Sequence, residues 1–153
     1  MPAKPISSIA AIAAFTLSVQ TQAIAGVVIS GDYYEQTTAY QTCLDAFECR
    51  LNLAPIPVDK FLMIEHFNCT VQSQEPIYFF SMGSSATAGG SSARVIQYPF
   101  ETNTMLTDYH LYFIDREIKY KIGASPYVYF SAKSVSPGNK VLYCTITGTL
   151  SPR

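Results

Sequence analysis

Few residues in this sequence could do acid–base or metal chemistry. It has two histidines, His66 and His110, and neither belongs to an HxH or HExxH pattern. Asp108 and His110 would lie on one face of a strand, about 7 Å apart at ~3.4 Å per residue, whereas the neighbours Glu65 and His66 would point to opposite faces. A metal site needs at least three converging ligands, and the sequence offers only pairs. We predict no metal, no cofactor, and two surface or half-buried histidines.

Nucleophiles and paired carboxylates are equally sparse. The serine-rich segment 83–93 lacks the GxSxG sequence of a nucleophile turn. Asp115 and Glu117 could form the carboxylate pair of a glycosidase. However, the apolar residues on either side of them predict a hairpin over residues 109–122, with a three-residue connection in water. The sequence therefore predicts a protein that is not an enzyme, with no catalytic residue.

Residues 1–25 have the features of a secretory signal peptide. Lys4 is followed by the uncharged apolar segment 9–19 and by Ala23-Ile-Ala25, a small-x-small cleavage pattern. An apolar segment of this length is too short to cross the ~30 Å hydrocarbon core of a bilayer. We predict cleavage after Ala25, a secreted or periplasmic location, and no membrane span in the remaining domain, residues 26–153.

Charge excludes one class of partner. Loss of Lys4 would take the net charge from −1 to −2, and the positive charges form no run or stripe. We therefore expect no nucleic-acid partner.

All four cysteines follow the predicted signal, which indicates two disulfides rather than a metal or redox motif. Three pairings are possible. We favour Cys43–Cys49, which closes a short turn, together with Cys69–Cys144, which joins two strands far apart in sequence.

Alternation of apolar and polar residues predicts strands along residues 26–153. It is clearest in residues 140–150, where Leu142, Cys144 and Ile146 share one face. Eight to ten short strands without a convincing helix predict an all-β fold, a single antiparallel β-sandwich that is jelly-roll-like or Ig-like.

Three irregularities are expected between or within these strands. The alternation changes phase within residues 61–73, which predicts a β-bulge near Glu65-His66. The glycine- and serine-rich segment 83–93 predicts a flexible surface loop, and Pro137-Gly-Asn139 predicts a turn before the last strand.

Residues 110–150, which end in Thr145-Ile-Thr-Gly-Thr-Leu150, resemble small, largely uncharacterised secreted proteins of Gram-negative bacteria. Those proteins end in a Ser/Thr-Ile-Ser/Thr-Gly-x-Leu strand after a Leu-Tyr-x-x hairpin. Residues 56–65 are similar to their Val-Pro-x-Gly-Lys-x-Leu-x-Ile-Glu stretch, with Asp59 in place of the glycine. The resemblance implies a periplasmic or secreted β-sandwich and carries no catalytic residue.

Tyrosine is abundant: the chain has 11 Tyr and 9 Phe but no Trp. Tyrosines in strands could pack across neighbouring strands with their hydroxyls in water. Alternatively, six of them could form an exposed face that stacks on a sugar or contacts a protein: Tyr109, Tyr112, Tyr120, Tyr127, Tyr129 and Tyr143.

Two functions follow from these features. The leading hypothesis is a secreted, non-enzymatic protein that binds a protein or glycan at the cell envelope. The alternative is a structural or assembly subunit, pilus-like or part of a surface layer, that completes its sheet with a partner's strand.

Overall fold

The computed structural model describes residues 26–100, 102–123 and 127–153, so the predicted signal peptide lies outside the described residues. In these ranges the chain forms nine β-strands and no helix, which confirms the all-β prediction. No described helix could therefore span a membrane. The strands are β1 Gly26–Ser30, β2 Tyr33–Thr37, β3 Gln41–Asn52, β4 Lys60–Ser73, β5 Ile77–Ser85, β6 Ser92–Gln97, β7 Thr102–Met105, β8 His110–Ile122 and β9 Tyr127–Pro152.

Strand β9 organises the sheet because other strands pair with both of its edges. One edge pairs with β3 over residues 129–142 of β9 and with β2 over residues 145–149. The other edge pairs with β5 over residues 127–134 and with β4 over residues 140–152. The remaining strands extend the sheet outward: β1 pairs with β2, β8 with β4, β7 with β8, and β6 with β5. All these pairs are antiparallel.

The two halves of β9 belong to different layers. Phe67 of β4 pairs in register with Ile146, yet its ring centroid lies 5.2 Å from that of Phe130. Along a straight strand the 16 residues between Phe130 and Ile146 would span roughly 50 Å. Strand β9 must therefore bend sharply along its length, and the sheet folds into two layers around an apolar core, an arrangement consistent with the predicted β-sandwich.

The C-terminal half of β9 has the predicted alternation. Leu142, Cys144 and Ile146 are buried, and the intervening residues are half-buried. Both disulfides have the favoured pairing, Cys43–Cys49 and Cys69–Cys144. The first lies within one strand, β3, across an irregular stretch of its register, rather than at a turn between two strands.

The predicted bulge is also present. The register of β4 with both β8 and β9 shifts between Ile64 and His66. Against β9, Glu65 is the extra residue, whereas on the other side two residues of β8, Ile118 and Lys119, lie opposite Glu65. Gly148 lies opposite Ile64, and a Cβ there would overlap the carbonyl oxygen of Met63. The bulge thus depends on a close approach of two backbones that only glycine permits at this position.

The predicted hairpin over residues 109–122 is wrong. Residues 110–122 form one strand, β8, which pairs with β4 along its length. Tyr112 and Tyr120 are both buried on the inner side, so the alternation runs unbroken through the charged triplet between them. Asp115 and Glu117 therefore project outward from the middle of a strand instead of flanking a turn.

Two predicted breaks are also corrected. Pro137-Gly-Asn139 does not reverse the chain, because β9 continues through it. The register of β3 on β9 jumps there from Gly138 to Lys133, and such an irregularity bends a strand. Within segment 83–93, residues 83–85 are buried in β5 and β6 begins at Ser92, so only the centre is a loop.

Candidate functional site

The six predicted tyrosines do not form one exposed face. Tyr112 and Tyr120 are 2% and 1% exposed because both occupy inner positions of β8. Their hydroxyls are satisfied inside the protein, by the backbone N–H of Ile77 at 2.9 Å and by Ser84 Oγ at 3.2 Å. Buried tyrosines commonly have such partners.

Tyr129 points outward but is covered. The Arg50 guanidinium lies 3.6 Å above its ring centroid, and the Tyr129 hydroxyl is hydrogen-bonded to Ser92. The ring lies over Gly83, where a Cβ would overlap it, and Tyr129 is only 3% exposed. Tyr109, Tyr127 and Tyr143 are half-buried. The prediction of an exposed face is therefore wrong for Tyr112, Tyr120 and Tyr129.

An aromatic groove lies elsewhere, at the end of β6 and beside β5. It has a volume of about 310 Å³. Three of its residues are consecutive on β5, and the other three begin at the last residue of β6: Tyr78, Phe79, Phe80, Gln97, Tyr98 and Pro99.

An irregularity in β5 exposes the aromatic rim of this groove. The register of β5 on β9 shifts between Ile77 and Phe79, so Tyr78 is an extra residue, and it is 62% exposed. Phe79 is half-buried on the same rim, with the Lys133 ammonium 5.6 Å from its ring centroid. Bulges commonly re-aim a side chain in this way.

Tyr98, at the floor of the groove, is held by a backbone hydrogen bond and a ring contact. The backbone N–H of Tyr98 donates to the carbonyl of Phe80 at 3.0 Å. The Tyr98 ring packs edge-on against Phe67 with centroids 4.9 Å apart. Burial raises the pKa of Tyr98, an effect to which nearby Tyr120 adds and which Arg94 opposes. Tyr98 is thus a fixed structural residue, and the exposed Tyr78 and Gln97 are the groups available to a ligand.

This rim offers two kinds of contact. The face of the Tyr78 ring can stack on an apolar surface, and its hydroxyl stays in water. The exposed Gln97 amide can both donate and accept hydrogen bonds. Beyond Phe79, Lys133 is paired with Glu48 at 3.2 Å, so that the charge at this end of the groove is balanced.

A second, polar pocket of about 640 Å³ lies at the Glu65 bulge. Its lining comes from three adjacent strands: Glu65, His66, Glu117, Ile118, Lys119 and Thr147. The bulge brings Glu65 and His66 to the same pocket, contrary to the expectation that they point to opposite faces. His66 Nε2 lies 2.5 Å from Asp115 Oδ1. The structure thus joins acids and a histidine that the sequence offered only as separate pairs.

The pocket at the bulge has no metal-binding geometry. Among the described residues, no group of three or more His, Cys, Asp or Glu side chains is placed to hold an ion. His110 lies apart from it, stacked on Tyr112 with ring centroids 6.0 Å apart, and its buried Nδ1 has no hydrogen-bond partner among the described residues. Asp108 is exposed in the segment before β8.

Sequence reasoning missed the residues of the aromatic groove, although one signal was present. Three aromatic residues follow one another at 78–80, and successive side chains of a strand point to opposite faces. At least one of the three had to face outward. The bulge that exposes Tyr78 has no such signal in the sequence.

No family model, no curated protein and no solved structure matches this chain. The resemblance to small secreted proteins of Gram-negative bacteria therefore stays a prediction.

Proposed function

We propose that this protein is a non-enzymatic binding protein that is secreted or periplasmic, and that it binds a glycan of the cell envelope by stacking a sugar ring on Tyr78. The observation that carries the proposal is the exposed Tyr78 ring at the rim of a groove that also contains the free Gln97 amide.

The chemistry of the groove suits a sugar. A pyranose has one or two faces of C–H groups, which pack on an aromatic ring, and hydroxyls at its edge, which both donate and accept hydrogen bonds. Tyr78 supplies the ring and Gln97 the complementary polar group. A volume of about 310 Å³ is at the lower end for a small-molecule site, which favours one sugar unit of a longer chain.

The expected affinity is modest. Covering roughly 100 Å² of apolar surface on one ring contributes about 2.5 kcal/mol. With a few hydrogen bonds and the cost of association, dissociation constants of roughly 0.1–1 mM are expected for a single site. Repeated units on a polysaccharide would raise the apparent affinity.

The compartment is consistent with this role. Both disulfides are formed and all four cysteines are used, as expected of a protein that folds in an oxidising environment. Such an environment outside the cytoplasm is where envelope glycans are found.

A glycan array carrying bacterial envelope oligosaccharides tests the proposal. The folded protein should be enriched on a subset of glycans, and protein unfolded by reduction and heat should lose that enrichment. Equal signals from folded and unfolded protein, or no enrichment on any glycan, would contradict the proposal.

A second candidate, a structural subunit that joins its sheet to that of a neighbouring molecule, is favoured by the exposed edge strand β1. All five residues of β1 are exposed, and among the described strands it pairs only with β2.

A further inference from the structure

We infer that β1 is a self-association edge, at which a second copy of this chain adds its own β1 in antiparallel orientation. The inference concerns β1, whereas the proposed glycan site is formed by β5 and the end of β6, so the two proposals can fail separately.

The edge of β1 lacks the protection that the other free edges have. Natural proteins protect edge strands with charges, bulges, proline or shortness. Among the described strands, β3 carries charges, a disulfide and two register shifts, β6 carries Arg94, and β7 has only four residues. Strand β1, Gly-Val-Val-Ile-Ser, is one residue longer than β7 and has no charged side chain, proline or bulge.

The inner face of β1 is apolar and uncovered. Val27 and Ile29 pair with Gln36 and Tyr34, so they share the inner face of the sheet with these residues. Tyr34 and Gln36 are 1% and 5% exposed, whereas Val27 and Ile29 are 46% and 50% exposed. The apolar inner surface thus continues past the core to an edge where Val27 and Ile29 are about half exposed.

The sequence of β1 is complementary to itself. In an antiparallel pair centred on Val28, Val27 of each copy lies opposite Ile29 of the other, and Gly26 lies opposite Ser30. Because paired residues share a face, the two Val27 and two Ile29 side chains would form one continuous apolar patch. Such a two-fold contact uses the same surface on both copies and closes at the dimer.

Charge does not oppose this pairing. Glu35, opposite Val28, is the one charged side chain of β1 and β2. In the processed protein the α-ammonium of Gly26 adds a charge at the end of β1, but in the antiparallel pair the two ammonium groups would be four residues apart along the strands, roughly 13 Å. In the paired sheet the two Glu35 side chains would be three strand spacings apart, about 14 Å. That distance exceeds the Debye length of ~8–10 Å at physiological salt, so their repulsion is largely screened.

The contact is small, so a weak dimer is expected. A five-residue strand pair lies well below the area of standard interfaces, which suits a dissociation constant of roughly 0.1–1 mM. Sedimentation equilibrium of the processed protein, purified from an extracytoplasmic fraction, should show a monomer–dimer equilibrium in this range. A monomer at all concentrations up to ~1 mM would overturn the inference.

Two matched variants locate the contact. Val27→Lys with Ile29→Lys places four ammonium groups in the patch and should weaken dimerisation at least ~10-fold. Val58→Lys with Val135→Lys adds the same charge at sites that are 80% and 69% exposed and should leave dimerisation unchanged. Equal dimerisation of the two variants would overturn the assignment to β1.

A cysteine variant tests the register. Two Val28 residues paired across the two-fold would have Cα atoms roughly 4.5–5.5 Å apart, within reach of a disulfide. Val28→Cys should therefore form a disulfide-linked dimer under mild oxidation, and Val58→Cys should not. A dimer in which the Val28→Cys variant fails to cross-link would overturn the proposed pairing.

Discussion

Cys69 of β4 and Cys144 of β9 lie directly opposite each other in the strand register, and a disulfide joins them. The bond thus links two neighbouring strands of one layer, rather than the two layers across the core. Since the two cysteines are 75 residues apart in sequence, it closes a long loop in the unfolded chain. Cys43 and Cys49 are separated by only six residues.

This difference in loop length predicts unequal contributions to stability. In the chain-entropy model, Cys69→Ala with Cys144→Ala should lower the free energy of unfolding by about 4–5 kcal/mol, and Cys43→Ala with Cys49→Ala by about 2–3 kcal/mol. Urea unfolding of the two double variants measures the difference. An equal or larger loss for the Cys43–Cys49 pair would show that the long bridge is not the main constraint.

The bulge at Glu65 makes the chain intolerant of a side chain at Gly148. A methyl group there would overlap the Met63 carbonyl and lie 3.0 Å from Ile64 Cα. Gly148→Ala should therefore destabilise the protein by roughly 1–3 kcal/mol, as overpacking does. Gly26→Ala is the matched control because a Cβ at Gly26 has nothing within 4 Å. Similar midpoints of urea unfolding for the two variants would contradict the close approach at the bulge.

Burial of Tyr34 predicts a loss of stability at alkaline pH. Tyr34 donates to Gln36 Oε1 at 2.8 Å, and burial raises the pKa of Tyr34 from 10.0 to about 12. The folded state holds the Tyr34 hydroxyl proton more tightly than the unfolded chain does. The contribution of Tyr34 to the free energy of unfolding is therefore complete below pH 10 and is lost as pH rises through about 12. The free energy of unfolding should fall across this interval.

Tyr34→Phe isolates that contribution. It should cost about 1 kcal/mol at neutral pH, because Gln36 loses its donor, but it should flatten the decline above pH 10. Tyr40→Phe, at a site that is 61% exposed, should keep the slope of the parent protein. Parallel curves for Tyr34→Phe and the parent would contradict this assignment.

Lys140 is a buried lysine whose role is structural. Its Nζ donates to the carbonyl oxygens of Ala46 and Gly138 and thus holds the Cys43–Cys49 segment to the bend of β9. Lys140→Met would leave both carbonyls without this donor, and a loss of roughly 1–3 kcal/mol is expected. Unchanged stability in urea would show that the amine contributes nothing there.

The pH dependence of Lys140 has the opposite sign to that of Tyr34. Burial lowers the pKa of Lys140 from 10.5, against the opposing influence of Glu75 and Asp45. At pH values between that lowered pKa and 10.5, the Lys140 amine is protonated in more of the unfolded chains than of the folded ones. The contribution of Lys140 to the free energy of unfolding therefore rises with pH in this interval. Lys140→Met should lack the rise, which unfolding curves recorded at several pH values below 10.5 would reveal.

The sequence was informative wherever local alternation decides structure. The phase change near Glu65 located the bulge, and alternation placed Cys144 on the buried face of a strand. It failed where structure depends on distant contacts. Residues 137–139 have the composition of a turn, but pairing of β3, β4 and β5 with β9 keeps the strand continuous through a bend. Alternation with Ile118 and Ile122 also predicts an inner position for Tyr120, which is buried. Composition alone does not show which of the other tyrosines pack inside.

The same limit applied to the candidate sites. Tyr129 occupies an outward position, and only the folded neighbours Arg50 and Gly83 reveal that it is covered. Asp115 was expected beside a turn, but the pairing of β8 with β4 places it against His66. Such relationships between strands are set by tertiary structure and have no local signature.

The most direct test of the central proposal compares two exposed tyrosines. Tyr78 and Tyr40 are 62% and 61% exposed, and only Tyr78 lines the aromatic groove. On the glycan that gives the strongest array signal, Tyr78→Ala should weaken binding at least ~10-fold, equivalent to about 1.4 kcal/mol. Tyr40→Ala should bind as the parent does. If Tyr78→Ala binds as tightly as Tyr40→Ala, the groove is not the glycan site.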